Sequence, residues 1–173
     1  MSDEVALASR IERAWALLDG VLDPEVPVVS VRDLGIVRDV VEGEGGLTVV
    51  VTPTYSGCPA TEVIEQSVVA ALEAEGLGPV RVEMRRAPAW TTDWMNAAGR
   101  AKLRAYGIAP PGPVPMPASA PLRFVPRRPP VALACPRCES HDTERIAAFG
   151  ATACKALWRC RACGEPFEHF KPI

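Results

Sequence analysis

The chain has 173 residues, 48% of them hydrophobic and 23% charged, with a formal net charge of -2. This composition fits a soluble protein with one main domain and an appendage, long enough to bury a real core. No apolar run reaches the roughly eighteen residues of a membrane helix. The acidic opening Met1-Ser2-Asp3-Glu4 also lacks the basic and apolar regions of a secretory signal, so the expected compartment is the cytoplasm. There the six cysteines read as ligands or reactive thiols rather than as three disulfides.

Leu7, Ile11, Trp15, Leu18 and Leu22 recur at helical spacing and predict a first helix with Trp15 in the core, stopped by Gly20 and Pro24. The β-branched runs 35–41 and 47–52 flank Gly43-Glu44-Gly45-Gly46 and predict a β-hairpin with an exposed turn. Pro59, Glu62, Glu65 and the stripe Ile64, Val68, Ala71, Leu72 predict a second helix that starts directly after Cys58 and ends at Gly76. Residues 80–85 alternate strictly and predict a third strand whose even positions face the core. Asp93 reads as the N-cap of a helix over 94–106, closed by Gly107. The order αββαβα predicts a small two-layer α/β domain over residues 1–108.

Residues 109–130 hold nine of the 18 prolines. Missing amide donors and fixed φ forbid a helix or a central strand there, so this stretch is expected to be an extended spacer. Residues 131–173 contain the hook Cys135-Pro136-Arg137-Cys138 and, after twenty-one residues, the hook Cys160-Arg161-Ala162-Cys163. Each hook lets one turn supply two sulfurs, and two hooks supply the four thiolates of a closed structural zinc site; iron in a rubredoxin-like site is the competing occupant. Short strands are expected at 145–149, 156–159 and 167–170, in a zinc ribbon that depends on its metal because so short a segment buries little apolar surface. The fold class is therefore α+β, a two-layer α/β domain followed by a zinc ribbon. The ribbon carries six basic and five acidic residues, without the basic stripe that phosphate neutralisation requires, so nucleic acid is not an expected partner.

Outside the hooks, Cys58 follows a strand and Gly57 and stands before the second helix. Free amides and the helix dipole stabilise a thiolate there, which favours metal ligation or nucleophilic attack; the competing reading is a small buried hydrophobe. The only histidines, His141 and His169, fall in the ribbon, so a catalytic Cys-His pair is hard to build. Cys154 is a spare thiol that packs or offers a fifth ligand. Asp23 in Asp23-Pro24-Glu25 and Asp33 in Asp33-Leu34-Gly35 read first as turn caps and second as acid-base groups. No nucleotide-binding glycine loop is present.

Asp23-Pro24-Glu25-Val26-Pro27, Asp33-Leu34-Gly35-Ile36 and Thr54-x-x-Gly57-Cys58-Pro59 resemble the SufT-like family of iron-sulfur assembly factors. The segments 90–95, 107–111, 149–157 and 165–167 extend the likeness to the PaaD family of the bacterial phenylacetate pathway, over almost the whole chain. The resemblance implies an accessory role beside a multicomponent phenylacetyl-CoA 1,2-epoxidase, maturing or inserting a metal centre rather than catalysing a step. It maps the family's cysteine onto Cys58 and its acidic loops onto Asp23 and Asp33, as residues of cluster or iron transfer. It implies structural zinc, a transient iron-sulfur cluster or iron, and protein partners in the oxygenase or its iron-sulfur reductase; since one thiolate cannot hold a cluster, the other ligands are expected from a second protomer, from Cys154 or from the client protein. A non-catalytic subunit that braces the oxygenase, and an independent thiol enzyme, are the competing functions.

Overall fold

A computed structural model describes residues 2–55, 57–114 and 133–173, with side chains from residue 10 onward. Most of the proline-rich stretch, residues 115–130, lies outside the described residues. The chain divides into two compact units, Met1–Leu103 and Arg104–Ile173. In the first, the element order is α1 (Ser2–Leu18), β1 (Val37–Gly43), β2 (Gly46–Val51), α2 (Thr61–Ala74) and β3 (Val80–Met84), then a 3-10 turn (Thr92–Trp94) and α3 (Ala97–Tyr106), which runs into the second unit. The sheet order is β1-β2-β3. β1 and β2 form the expected antiparallel hairpin, and β3 lies parallel to β2, with α2 as the crossover that a parallel pair requires. Helices α1 and α2 pack together and onto β1 and β3 respectively, and Leu18, Leu47, Val49, Val68 and Leu72 are buried in the core so formed. The even positions of β3 are the less exposed ones.

Three local features differ from the sequence reading. Trp15 is half-buried rather than core, with the Arg32 guanidinium 5.5 Å from its ring centroid, and Leu22 is exposed. Helix α2 begins at Thr61, because Pro59 and Ala60 form a turn before it. The third helix begins at Ala97. The Thr91 side chain accepts from the Asp93 amide and closes the 3-10 turn, and Asn96 then caps α3, its Oδ1 accepting from the Gly99 amide at 2.7 Å.

The second unit holds a four-stranded sheet in the order β4-β7-β6-β5, with β4 (Ile108–Ala109), β5 (Thr143–Ala147), β6 (Lys155–Cys160) and β7 (Pro166–Phe170). β5, β6 and β7 are the three expected ribbon strands, paired antiparallel. β4 runs parallel to β7, a pairing unreadable in a two-residue segment between a helix-ending glycine and the first prolines. Ala109, Ala156, Trp158 and Phe167 form its small apolar core together with Cys135 and Cys160.

Candidate functional site

The two hooks are built alike. The Cys135 carbonyl accepts from the Glu139 amide and the Cys160 carbonyl from the Gly164 amide, each at 2.9 Å, and the amides of Cys135 and Cys160 donate to Ser140 and Glu165 carbonyls, again at 2.9 Å. The fifth residue of each hook has a left-handed backbone, φ 79° at Gly164 and φ 60° at Glu139. Glycine adopts that conformation freely, whereas Glu139 is held in it by the hook. These knuckles bring all four Sγ atoms within 4.8 Å of one another, with Cys138–Cys160 at 3.5 Å and Cys135–Cys163 at 3.9 Å. A tetrahedral zinc with bonds of about 2.3 Å needs sulfurs roughly 3.8 Å apart, so the donor set fits the ion in both chemistry and spacing. None of the six cysteines is paired in a disulfide.

The electrostatics of the cage point the same way. The Ser140 amide favours the Cys138 thiolate, but the neighbouring sulfurs outweigh it and push this thiol up to about 12. The Cys163 amide leads the interactions that draw Cys160 down to about 7. Four thiolates cannot share this volume without a cation among them. The ion would be held by Cys135, Cys138, Cys160 and Cys163, in the role of tying both knuckles together. Arg137 and Glu165 join the hooks outside the cage at 3.0 Å.

Cys58 occupies a different setting. It is half-exposed, its amide donates to the Tyr55 carbonyl at 3.2 Å, and its own carbonyl accepts from the Thr61 amide where α2 begins. It lines an open cleft of about 430 Å³ with Pro53, Pro59, Thr61, Glu62, Met84 and Arg86. The thiol is thus neither sealed in hydrocarbon nor part of the four-sulfur cage. Among the described residues that line the cleft there is no histidine, and its one carboxylate is Glu62.

Asp23 and Asp33 do not line that cleft. The Asp23 carboxylate accepts from the Glu25 and Val26 amides at 2.9 and 2.8 Å and shapes the Asp-Pro turn. Asp33, 3% exposed, accepts from the Ser30 amide at 3.0 Å, Asn96 Nδ2 at 3.2 Å and Lys102 Nζ at 2.5 Å. Burial alone would raise its pKa, yet the hydrogen bonds from Lys102, Ser30 and Asn96 outweigh burial and lower it. The loop 90–95 locks onto the same corner. Trp90 Nε1 donates to the Leu34 carbonyl at 3.0 Å. Gly35, at φ 68°, leaves no room for a Cβ, which would lie 2.5 Å from the Trp94 carbonyl oxygen. The Asp33-Leu34-Gly35 turn and the 90–95 loop are therefore one interlocked corner.

Several contributors went unread in the sequence. Met84 and Arg86 reach the thiol cleft only because β3 pairs parallel with β2, and Lys102 and Asn96 complete the Asp33 corner from more than sixty residues away. In the ribbon, buried Lys155 pairs with Glu168 at 2.7 Å, and Glu168 also accepts from the Ala151 amide at 2.8 Å. Cys154 is buried with its Sγ 3.0 Å from Thr152 Oγ1 and is not in the four-sulfur group. His169 is buried edge-on to Trp158, and burial pushes its pKa down to about 4. His141 lines a separate cavity beside Cys135. Among the described residues, no helix is long and apolar enough to cross a membrane.

Residues 121–171 match the PaaD zinc beta ribbon domain, and residues 11–84 match the iron-sulfur cluster assembly protein family. The chain is 46% identical to a putative 1,2-phenylacetyl-CoA epoxidase subunit of Escherichia coli K12 over 164 residues, covering 95% of this chain and 94% of the relative. It is 35% identical to an Fe-S protein maturation auxiliary factor of Porphyromonas gingivalis over 89 residues, 50% of this chain and 84% of the relative. A crystal structure of a DUF59 domain from Bacillus anthracis superposes with a TM-score of 0.54 at 25% identity, covering 58% of this chain and 96% of that one.

Proposed function

The chain belongs to the PaaD family of 1,2-phenylacetyl-CoA epoxidase subunits, and on that premise we propose that it is an accessory maturation factor for that oxygenase system. Its cargo is an iron-sulfur cluster or iron, and Cys58 is the protein's exchangeable ligand. The observation that carries this reading is the contrast between two sulfur environments: four cysteines converge on a cage that suits a permanent ion, while Cys58 stands alone and half-exposed on an open cleft. A single thiolate cannot hold a cluster by itself. The remaining ligands come from the recipient protein or a second protomer, and this incompleteness is what permits release. Asp23 and Asp33 serve indirectly, holding the loops of the same unit through backbone amides and Lys102.

The ribbon is the docking module for the recipient, a component of the oxygenase system, and its zinc is structural. On this reading the protein acts in the cytoplasm, as an accessory factor without a catalytic step of its own. Anaerobic assembly with ferrous iron and sulfide, followed by visible absorption and by activation of the recipient, tests the reading with wild type and Cys58→Ser. The serine variant is expected to lose both signals. If it matched wild type in both, Cys58 would be a packing residue and the chain a bracing subunit.

A further inference from the structure

The register of β2 and β3 sets Val51 opposite Met84, and the Arg85 amide donates to the Val51 carbonyl at 2.8 Å. The carboxyl ends of two parallel strands therefore leave the sheet side by side, the position where open α/β sheets bind ligands. One exit leads through Pro53 to Cys58. The other leads to Arg86, and both residues line the same cleft.

Unlike Arg85 beside it, Arg86 has no ion pair or hydrogen bond among the described residues. Arg85 pairs with Glu83 at 3.0 Å, Arg32 with Asp19 at 2.7 Å and Lys102 with Asp33 at 2.5 Å. Arg38 lies 3.6 Å over the Trp94 ring. Arg86 is exposed and makes no ion pair or hydrogen bond among the described residues, and it is the only cation on the cleft lining. An exposed guanidinium and a thiol that line one open cleft, together with two stiff prolines, make a seat for an anion.

Resting on the reading of Cys58 as cargo ligand, we infer that Arg86 is a positioning residue that selects an anionic cargo, an iron-sulfur cluster still carrying thiolate ligands, over a bare ferrous ion. An oxidised two-iron cluster with four thiolates carries a net double negative charge, whereas Fe²⁺ is repelled by the same guanidinium. Hand-over is a ligand exchange: a recipient thiol forms its iron-sulfur bond as the bond from iron to Cys58 Sγ breaks, and the recipient's proton passes through solvent to Cys58. Iron and sulfide keep their oxidation states. Arg86 holds the anion in place during the exchange without contributing a bond that must break, and Glu62, of opposite sign on the same cleft, weakens the hold and eases release.

The test compares full-length, zinc-loaded wild type, Arg86→Ala, Arg86→Lys, Arg86→Glu, Glu62→Gln and Cys58→Ser. Arg85→Ala controls for loss of a nearby charge. Each is titrated anaerobically with a two-iron cluster preassembled on a small thiol, and separately with ferrous ion alone, by visible circular dichroism and by iron retained after gel filtration. Arg86→Ala is expected to weaken cluster binding about threefold to fivefold, the scale of an exposed charge pair, and Arg86→Glu further. Arg86→Lys should largely restore it, Glu62→Gln should tighten it, and Arg85→Ala should match wild type. The deficit should shrink at about 1 M salt, where screening extends only about 3 Å. Ferrous ion alone should bind Arg86→Ala no worse than wild type. If Cys58→Ser loses the cluster while Arg86→Ala and Arg86→Glu retain it as wild type does, the Arg86 role is wrong and the Cys58 reading stands. If Cys58→Ser itself retains the cluster, the underlying reading falls.

Discussion

Replacing Asp33 with alanine removes the acceptor at the centre of the corner between the Asp33-Leu34-Gly35 loop and α3. The Ser30 amide at 3.0 Å and Asn96 Nδ2 at 3.2 Å both donate to this buried carboxylate. Hydrogen bonds to a charged group contribute about 1.5–3 kcal/mol each. The Lys102 side chain is 47% exposed and can turn to water, so its pair adds at most about 1 kcal/mol. The expected loss is about 3–6 kcal/mol for Asp33→Ala, against about 1 kcal/mol or less for Lys102→Met. Urea unfolding followed by hydrogen exchange of the peptide over residues 29–37 measures both, because it reports the corner separately from the ribbon. The folded-state pKa of Asp33 lies below its unfolded value, so its contribution is complete above about pH 4 and is lost as pH falls below that. Asp33→Asn should therefore flatten the acid limb of the stability curve. A loss below about 1 kcal/mol for Asp33→Ala, or an unchanged acid limb for Asp33→Asn, would refute the account of the corner.

Chelating the zinc should unfold the sheet around buried Trp158 and shift its fluorescence to the red, while exchange in β1–β3 stays at the zinc-loaded rate; Cys135→Ser should do the same without chelator. A Cβ at Gly150 would lie 2.5 Å from Glu168 Oε1, the oxygen that accepts from the Ala151 amide, and would displace that flexible carboxylate end, so Gly150→Ala should cost about 1 kcal/mol in a thermal or urea melt. Combined with Glu168→Gln the two losses should be less than additive, since they act on one side chain.

The features legible in the sequence were those written in short spacings. Two Cys-x-x-Cys hooks specify a cage whatever the length between them, and the alternation of 80–85 and the β-branched runs around Gly43–Gly46 specify strands because side-chain direction repeats every two residues. Turn chemistry was readable too: the preferred capping role of Asp23 and Asp33 is the one their backbone partners support. Helix starts were less so, since Pro59 and Asp93 both carry N-terminal signals but sit in turns that precede the helix. What depended on register between distant segments was not legible. Trp15 looked like core on its own helix, and only the fold shows Arg32 covering it. Met84 and Arg86 gave no sign of lining the Cys58 cleft until β3 was known to pair parallel with β2.

The pairing of Ile108 and Ala109 with Glu168 and His169 bears on how this architecture can be cut and recombined. A cassette excised at residue 131 would keep every sulfur ligand yet strip β7 of its outer neighbour, baring a strand edge that invites pairing with another chain. A transplantable cassette has to begin upstream of β4, so grafting or truncation at the proline-rich stretch should yield fragments that load metal but self-associate.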